Sequence, residues 1–151
     1  MAAEVGIRRR VASISRMNLD HDYFSSGNLD HWHVDIEGAC AELAFAKSLG
    51  FFWDGSVNTG KSPDVAGYQV RYTHRDNGCL IVRERDRAED WFVLVTGRHP
   101  VYTIRGKISG AEAKQKKYLR DPNQRNPAWF VPQSALAEME RNHKNRDDET
   151  T

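Results

Sequence analysis

Four residues have the types and spacing that could hold a hard cation together with a phosphate. Glu42 lies in the apolar stretch IEGACAELAFAKSL, and Asp64 follows a proline just before a strand-like run. That run carries Gln69 and Arg71 two positions apart. Carboxylate and amide oxygens bind Mg²⁺ or Mn²⁺, and a cationic side chain stabilises charge on a phosphate. This is the set that metal-dependent phosphodiester hydrolysis needs.

The element that must position Glu42 is a helix. The pattern of residues 37–49 predicts a helix that ends at Gly50, a good C-cap residue. Small or apolar residues lie one turn on either side of Glu42, so its carboxylate is expected to be buried and to need a partner. That partner is either a cation or phosphate in a site, or an arginine such as Arg71 in a structural pair.

The other candidate residues are expected to lie on strands or beside them. Residues 65–84 predict two strands joined at the turn 76–78, with further strands from Trp91 and from Val101. Such short links favour an antiparallel meander, in which Gln69 and Arg71 share one face. Residues 111–119 predict a short polar helix, and the stretch after Ala128 predicts a buried piece followed by a helix capped near Gln133 or Ser134.

These residues resemble the PD-(D/E)XK, or restriction-endonuclease-like, nuclease superfamily. The resemblance rests on GACAELA with Glu42, and on Pro63-Asp64 followed by Gln69-Val70-Arg71. From Glu37 to about Pro132, with FVLVTG and FVPQSAL, the chain is also similar to small uncharacterised proteins encoded by bacteriophages.

The resemblance implies a single α+β domain with a mixed or antiparallel sheet of about four to five strands flanked by helices. It also implies DNA, double-stranded or branched, as the substrate, and Mg²⁺ or Mn²⁺ as the cofactor. A protein of this kind encoded by a phage would act in the host cell cytoplasm. Nucleases of this fold that cut both strands often dimerise, so a homodimer is one expected state.

By the resemblance, Glu42, Asp64 and Gln69 would hold the metal and Arg71 would stabilise the phosphate. The motif D-x4-Q-x-R departs from the superfamily, because Gln69 replaces an acid and Arg71 replaces a lysine. A neutral amide weakens metal binding, and a guanidinium, which keeps its proton at physiological pH, cannot act as a base. The leading hypothesis is therefore a nuclease with an atypical site. The alternatives are an inactive DNA-binding or protein-interaction module of the same fold, and a structural or host-interaction protein.

Other residues could supply the missing groups. Glu84 and Asp86 share a strand face and could donate an acid, and Lys61 could replace the usual lysine. Asp64 could equally be a turn residue after proline, with no catalytic role.

Residues 55–62 formally match the G-x-x-x-x-G-K-S phosphate loop, but Pro63 and a strand follow instead of a helix, so a nucleotide-binding loop is disfavoured.

DNA contact must be local, because the formal net charge of the chain is only +1. The basic residues expected on neighbouring strands, loops and the short polar helix are Lys61, Arg75, Arg83, Arg85, Arg105, Lys114 and Lys117.

The chain is expected to comprise an N-terminal arm over residues 1–30, a nuclease-like core over 31–138 and a charged, disordered tail over 139–151. Three consecutive arginines, Arg8 to Arg10, are expected to be solvated or to touch phosphate. His31 and His33 would share a face if they lay on a strand, as a metal site needs. Two cysteines without ligand spacing, and the lack of a signal or membrane-spanning run, favour a soluble cytoplasmic protein.

Overall fold

The computed structural model describes residues 1–16, 28–55, 63–121, 124 and 126–140. In that part of the chain the elements follow one another as α1 (Ala2–Arg16), α2 (Asn28–Leu49), β1 (Tyr68–Thr73), β2 (Leu80–Arg83), β3 (Trp91–Arg98), β4 (Val101–Ser109), α3 (Gly110–Ala113), β5 (Leu119–Arg120) and β6 (Ala128–Val131). Short 3-10 turns at Lys116–Tyr118 and Gln133–Ala135 precede β5 and follow β6.

The strands form two sheets of three strands each. Sheet A has the order β1-β3-β4, with β1 parallel to β3 and β4 antiparallel to it. Sheet B has the order β2-β6-β5 and is antiparallel throughout. Because β2 pairs in sheet B, the chain leaves sheet A after β1 and returns to it as β3.

The central strand β3 separates two hydrophobic cores. Val93 and Val95 pack with the helices, in a cluster that includes Phe45 of α2. Phe92 and Leu94 point the other way and pack with the residues of sheet B. The molecule therefore has helices on one face of sheet A and sheet B on the other, as the alternation of side chains along a strand requires.

Helix α1 is packed against α2 rather than projecting from the fold. Ala2 and Val5 are buried in the helical core. The two helices approach closely at Gly6, where an added Cβ atom would lie 2.5 Å from the Cα atom of Ile36. A glycine is required at this crossing because any side chain would force the helices apart.

The α+β class is confirmed, but several finer predictions are wrong. The strands of the described residues form two sheets of three strands each rather than one sheet of about four to five. The parallel pairing of β1 with β3 rules out the antiparallel meander, while sheet A is a mixed sheet, one of the two arrangements that were expected. The turn at residues 76–78 is present, but the strands on either side of it belong to different sheets. Local turn chemistry predicts where the chain reverses and does not determine which strands then pair.

The helix predictions are corrected at both ends of the chain. Helix α2 begins at Asn28, nine residues before the predicted start, and ends before Gly50 as predicted. His31 and His33 are therefore on a helix rather than on the strand that the predicted metal site required. Residues 111–119 form only the short α3 and a 3-10 turn, and in the described residues 133–140 the only helical segment is a 3-10 turn.

Some predictions concern residues outside the described part of the chain. They are Lys61, the GKS sequence and most of the charged tail. No helix within the described residues has the length and apolar character needed to cross a membrane.

Candidate functional site

The Glu42 carboxylate is buried and bound by two other side chains. Only 7% of the residue is exposed. Both guanidinium nitrogens of Arg9 donate to it, Nη1 to Oε1 at 2.5 Å and Nη2 to Oε2 at 2.7 Å. The indole N–H of Trp53 adds a third bond to Oε2, at 3.3 Å. The predicted partner of the buried glutamate therefore exists, and it is Arg9 of α1 rather than Arg71.

Helix α1 presents Arg9 to Glu42 through its packed face. Ala2, Val5 and Arg9 are spaced at i, i+3 and i+7, so they lie on one side of the helix, and the first two are in the core. Burial lowers the pKa of Arg9, but its hydrogen bonds to Glu42 and the charge of that carboxylate outweigh this effect and raise the pKa overall. The guanidinium is thus held in its charged form.

Asp64 lies beside the outer edge of β1. A tight turn with positive φ at Ala66 and Gly67 folds the chain back, so that the Asp64 amide donates to the Tyr68 carbonyl at 2.9 Å. The carboxylate Oδ2 accepts the backbone N–H of Val70 at 2.8 Å. Because β1 is an outer strand of sheet A, this bond satisfies an amide that needs a partner outside the sheet.

The electrostatic surroundings of Asp64 include both other charged candidate residues. Burial and the nearby Glu42 carboxylate raise its pKa to about 6. The hydrogen bond from Val70 and the charges of Arg71 and Arg9 act in the opposite direction. The charges of Glu42 and Arg71 therefore both change the pKa of Asp64, in opposite directions.

Arg71 lies on the other face of β1 from Glu42. The even-numbered residues Tyr68 and Tyr72 pack on the helical core, so the alternation of the strand turns Arg71 toward sheet B. Its guanidinium lies 5.0 Å from the ring centroid of Phe92 and donates to the Asp86 carboxylate at 2.8 Å.

Gln69 shares the Arg71 face by the same alternation and lies opposite Phe92 in the strand register. The four predicted residues thus surround the outer edge of β1, but they are divided between its two faces. Glu42 is on the helical face, Gln69 and Arg71 are on the face toward sheet B, and Asp64 is at the edge between them.

The arrangement does not fit a divalent cation. Both oxygens of Glu42 are engaged by Arg9 and Trp53, and one oxygen of Asp64 is engaged by Val70. Within the described residues no three His, Cys, Asp or Glu side chains come together as ligands. Since Mg²⁺ and Mn²⁺ require several converging oxygens, the pair as described lacks the donors for either ion.

Asp86, the acid considered as a replacement ligand, has a different set of partners. Its Oδ2 accepts Arg71 and the backbone N–H of Arg83, each at 2.8 Å. Burial raises the pKa of Asp86, but the bond from Arg83 and the charge and bond of Arg71 outweigh it, so the pKa is below its usual value. The carboxylate therefore ties β1 to the turn after β2.

Most of the predicted DNA-binding residues gather at one end of sheet B. Arg83 of β2 and Arg120 of β5 both lie opposite Ala128 of β6, so the two arginines are on the same face, roughly 10 Å apart. Both are exposed. Together with neighbouring basic residues they form a cluster, called here the basic end: Arg83, Arg85, Lys114, Lys117 and Arg120.

The Lys114 side chain is held at one side of the basic end by two backbone carbonyls and an aromatic ring. Its Nζ donates to the carbonyl of Glu84 at 2.9 Å and to that of Asp86, and it lies 5.2 Å from the ring centroid of Trp129. Of the other three predicted DNA-binding residues, Lys61 lies outside the described residues, and Arg105 and Arg75 are not part of this cluster. Arg105 donates to Thr96 and pairs with Asp76 at 3.6 Å, and Arg75 is in the same turn as Asp76.

A second buried carboxylate, Glu37, was not singled out from the sequence. It is 7% exposed, accepts the hydroxyl of Tyr102 at 2.6 Å, and lies 3.4 Å from the hydroxyl of Tyr72. Burial and this carboxylate raise the pKa of Tyr72 to about 12 and raise that of Tyr102 further. This network joins α2 to β1 and β4.

Arg9 and Trp53 were also missed. A signal for Arg9 exists in the spacing of Ala2, Val5 and Arg9, which predicts a helix face on which only Arg9 is charged. Trp53 follows the helix that carries Glu42 and gives no comparable pattern.

No protein-family model matches the sequence, and no curated protein or solved structure is significantly similar to it.

Proposed function

We propose that this protein binds DNA through the basic end of sheet B and has a restriction-endonuclease-like fold whose candidate site is inactive in the described state. The observation that carries the proposal is the row formed by Arg83, Ala128 and Arg120 across three strands. Both arginines are exposed and lie on the same face, so their side chains can contact one phosphate backbone. Arg120 also donates through Nη1 to the carbonyls of Lys117 and Leu119, which holds its guanidinium near β5. Phosphate contacts give sequence-independent affinity that depends on salt.

Charge complementarity supports DNA as the partner. The basic end contributes five positive groups, while the formal charge of the whole chain is +1. Glu84 and Asp121 are the acids adjacent to these residues in sequence, and Asp86 is compensated by Arg71. A polyanion is therefore attracted to this end of the molecule rather than to its surface as a whole.

The basic end is continuous with the candidate site. The Asp86 carboxylate binds Arg71 of β1, and the Asp86 carbonyl accepts Lys114 of the basic end. A duplex held at the basic end would extend toward the edge of β1, where Asp64 lies. This link supports DNA binding and the nuclease resemblance together.

The state of Glu42 supports binding without cleavage. Its carboxylate is neutralised by Arg9, and Arg71 and Gln69 lie on the opposite strand face. Loss of the acid at position 69 and of the lysine at position 71 adds to this argument. These features favour a module that keeps the architecture and has lost the chemistry.

The second candidate function is the metal-dependent DNA phosphodiesterase. It is favoured by Asp64, whose raised pKa of about 6 partly reflects the neighbouring Glu42 carboxylate. Closely placed acids with perturbed pKa values are typical of functional sites. In this case Glu42 and Asp64 would hold Mg²⁺ or Mn²⁺ once Glu42 was released from Arg9.

Fluorescence anisotropy with a labelled duplex tests the DNA-binding proposal. The variant Arg83→Gln/Arg120→Gln should bind more weakly, and its log-log salt slope should fall by about 2, one unit for each lost phosphate contact. The matched control is Arg75→Gln, an exposed arginine away from the basic end, which should bind like the wild type. A folded double variant with unchanged affinity would overturn the proposal.

Incubation with circular, linear and branched DNA separates the two candidates. With EDTA or Mn²⁺ the wild-type chain should bind without cutting. Mn²⁺-dependent cleavage that is lost in both Glu42→Gln and Asp64→Asn would instead establish the phosphodiesterase. A chain that neither binds nor cuts DNA would leave the structural or host-interaction role.

A further inference from the structure

Sheet B has a face that points away from sheet A, called here the outer face. Leu80, Val82 and Val131 are fully buried and pack against sheet A. Ile81 of β2 and Phe130 of β6 alternate with them and are paired in the register, so both point to the opposite side. Each is only partly buried, and neither is among the described residues that form the two hydrophobic cores. The outer face therefore carries a partly open aromatic ring beside an isoleucine.

The two arginines of the basic end lie on the same outer face. Arg83 follows Ile81 by two positions in β2. Ala128 precedes Phe130 by two positions in β6 and lies opposite both Arg83 and Arg120. Ala128 itself is buried, so the accessible parts of the face are the arginine row and, roughly 7 Å further along the strands, the Ile81 and Phe130 pair.

A positive row beside an aromatic ring fits a nucleic-acid strand whose bases are unpaired. The guanidinium groups attract the phosphate backbone, and the ring can stack on the face of a base. The separation of the two rows is comparable to the reach from the phosphate of a nucleotide to its base. In a duplex the base faces are covered by the neighbouring base pairs, so only an unpaired base can present its face to Phe130.

We propose that the outer face of sheet B binds single-stranded DNA, with phosphates on Arg83 and Arg120 and a base stacked on Phe130. The inference rests on the proposed DNA binding by the basic end and names the form of DNA that this end prefers. Duplex DNA makes only the phosphate contacts at this face, whereas a single strand adds the stacked base.

Area and charge favour a nucleic acid over a protein at this face. A stable protein interface buries roughly 800 Å² on each partner, far more than two partly buried side chains offer. The exposed arginines beside the pair also disfavour a second copy of the same positively charged face. A single strand needs only a narrow track of positive charge with a ring beside it, and the outer face supplies both.

Fluorescence anisotropy with labelled probes of equal length tests the proposal. The probes are an oligothymidine strand of about 12 nucleotides, an abasic strand that keeps the phosphates but has no bases, and a duplex. The wild type should bind oligothymidine on the order of tenfold more tightly than the abasic strand, because only the first can stack on a ring. It should also bind oligothymidine more tightly than the duplex.

Phe130→Leu removes the ring and keeps an apolar side chain in β6. Its affinity for oligothymidine should fall on the order of tenfold, while its affinity for the abasic strand should not change. Phe130→Tyr keeps an aromatic ring and should bind like the wild type. The matched control Phe52→Leu removes a ring that is 88% exposed and lies outside sheet B, and it should leave all affinities unchanged.

A second measurement covers the case in which Phe130→Leu does not fold. A strand that contains 5-iodouracil is cross-linked to the wild type by ultraviolet light, and mass spectrometry of the peptides locates the attachment. The cross-link should map to Phe130. Attachment only at residues outside sheet B would overturn the proposal.

The outcomes separate this inference from the proposed function. Equal affinity of the wild type for oligothymidine and the abasic strand, with both lost in Arg83→Gln/Arg120→Gln, would overturn the inference and leave the proposed DNA binding intact. An oligothymidine preference that Phe130→Leu does not change would place the stacked base elsewhere and would also overturn the inference. If no probe binds, or if the arginine variant binds like the wild type, the proposed function fails and the inference with it. A dimer that sedimentation detects and Phe130→Leu dissociates would show that a second copy, and not DNA, covers this face.

Discussion

The Arg71 guanidinium of β1 donates to the Asp86 carboxylate in the turn after β2, at 2.8 Å. The same arginine donates through Nε to the carbonyl of Ile81, at 3.2 Å. In the part of the chain that the structure describes, sheet A and sheet B share no strand pairing, and this charged contact joins them at the edge of β1.

We expect Asp86→Ala to destabilise the fold by about 2 to 4 kcal/mol, because it leaves the Arg71 guanidinium and the Arg83 amide without this partner. Urea unfolding followed by tryptophan fluorescence gives the free energy. Glu89→Ala, at a side chain 70% exposed, is the control and should change stability by less than about 0.5 kcal/mol. Equal effects of the two substitutions would show that the contact is not stabilising.

The Arg9 and Glu42 pair should show strong energetic coupling. Removing one member leaves a buried charge, so Arg9→Met and Glu42→Leu should each cost about 3 kcal/mol or more, and the double variant much less than their sum. The exposed pair of Arg8 and Glu4 provides the comparison, with an expected coupling below about 0.5 kcal/mol. Additive effects of the Arg9 and Glu42 substitutions would contradict the observed contact.

Asp64 should give stability a distinct pH dependence. Its pKa in the folded state, about 6, is above the ordinary value of 3.8, so the folded state holds this proton more tightly than the unfolded state does. The stabilisation that this proton gives the folded state is complete below about pH 4 and is lost as the pH rises through about 6. At about 1.4 kcal/mol per pKa unit the loss is on the order of 2 to 3 kcal/mol.

Asp64→Asn isolates this effect, because an amide oxygen can still accept the Val70 N–H. Over this pH range, in buffers with EDTA, the unfolding free energy of the wild type should fall relative to that of the variant as the pH rises. Asp76→Asn, at a side chain 88% exposed, should show no such shift. A constant difference for Asp64→Asn would mean that the pKa is not raised.

Two glycines in helices should respond in opposite ways to alanine. Gly6→Ala places a methyl group 2.5 Å from the Ile36 Cα atom and should lower the melting temperature, whereas nothing lies within 4 Å of a Cβ atom added at Gly38. Gly38→Ala should raise stability by about 0.5 to 1 kcal/mol through helix propensity alone. Stabilisation by both substitutions would show that α1 does not approach α2 as closely as described.

The sequence predicts elements better than it predicts their partners. The burial of Glu42 follows from its neighbours along one helix, but Arg9 is 33 residues away and one of three consecutive arginines, so its role depends on how α1 crosses α2. The strand at Tyr68–Thr73 is evident from its alternation, whereas its parallel pairing with β3 depends on β2 joining another sheet.

Helix propensity alone predicts too long a helix at residues 111–119. Residues 111–119 are rich in helix formers but lack an apolar face, and the chain forms only a four-residue helix at Gly110–Ala113. The capping box of Ser109 and Glu112 marks its start, as the local sequence indicates. The run of helix formers does not indicate that the helix ends at Ala113.

The two outer strands of sheet A each carry a contact that limits further strand addition. Lys107 of β4 exchanges backbone hydrogen bonds with Ala137, at 2.8 and 2.9 Å, and the Asp64 carboxylate accepts the Val70 amide of β1. Exposed strand edges promote aggregation between copies of a protein, and a charged group at the edge opposes it. The acid at position 64 therefore leaves one amide fewer at the edge of β1 with which a strand of another copy could pair, independently of any role in binding or catalysis.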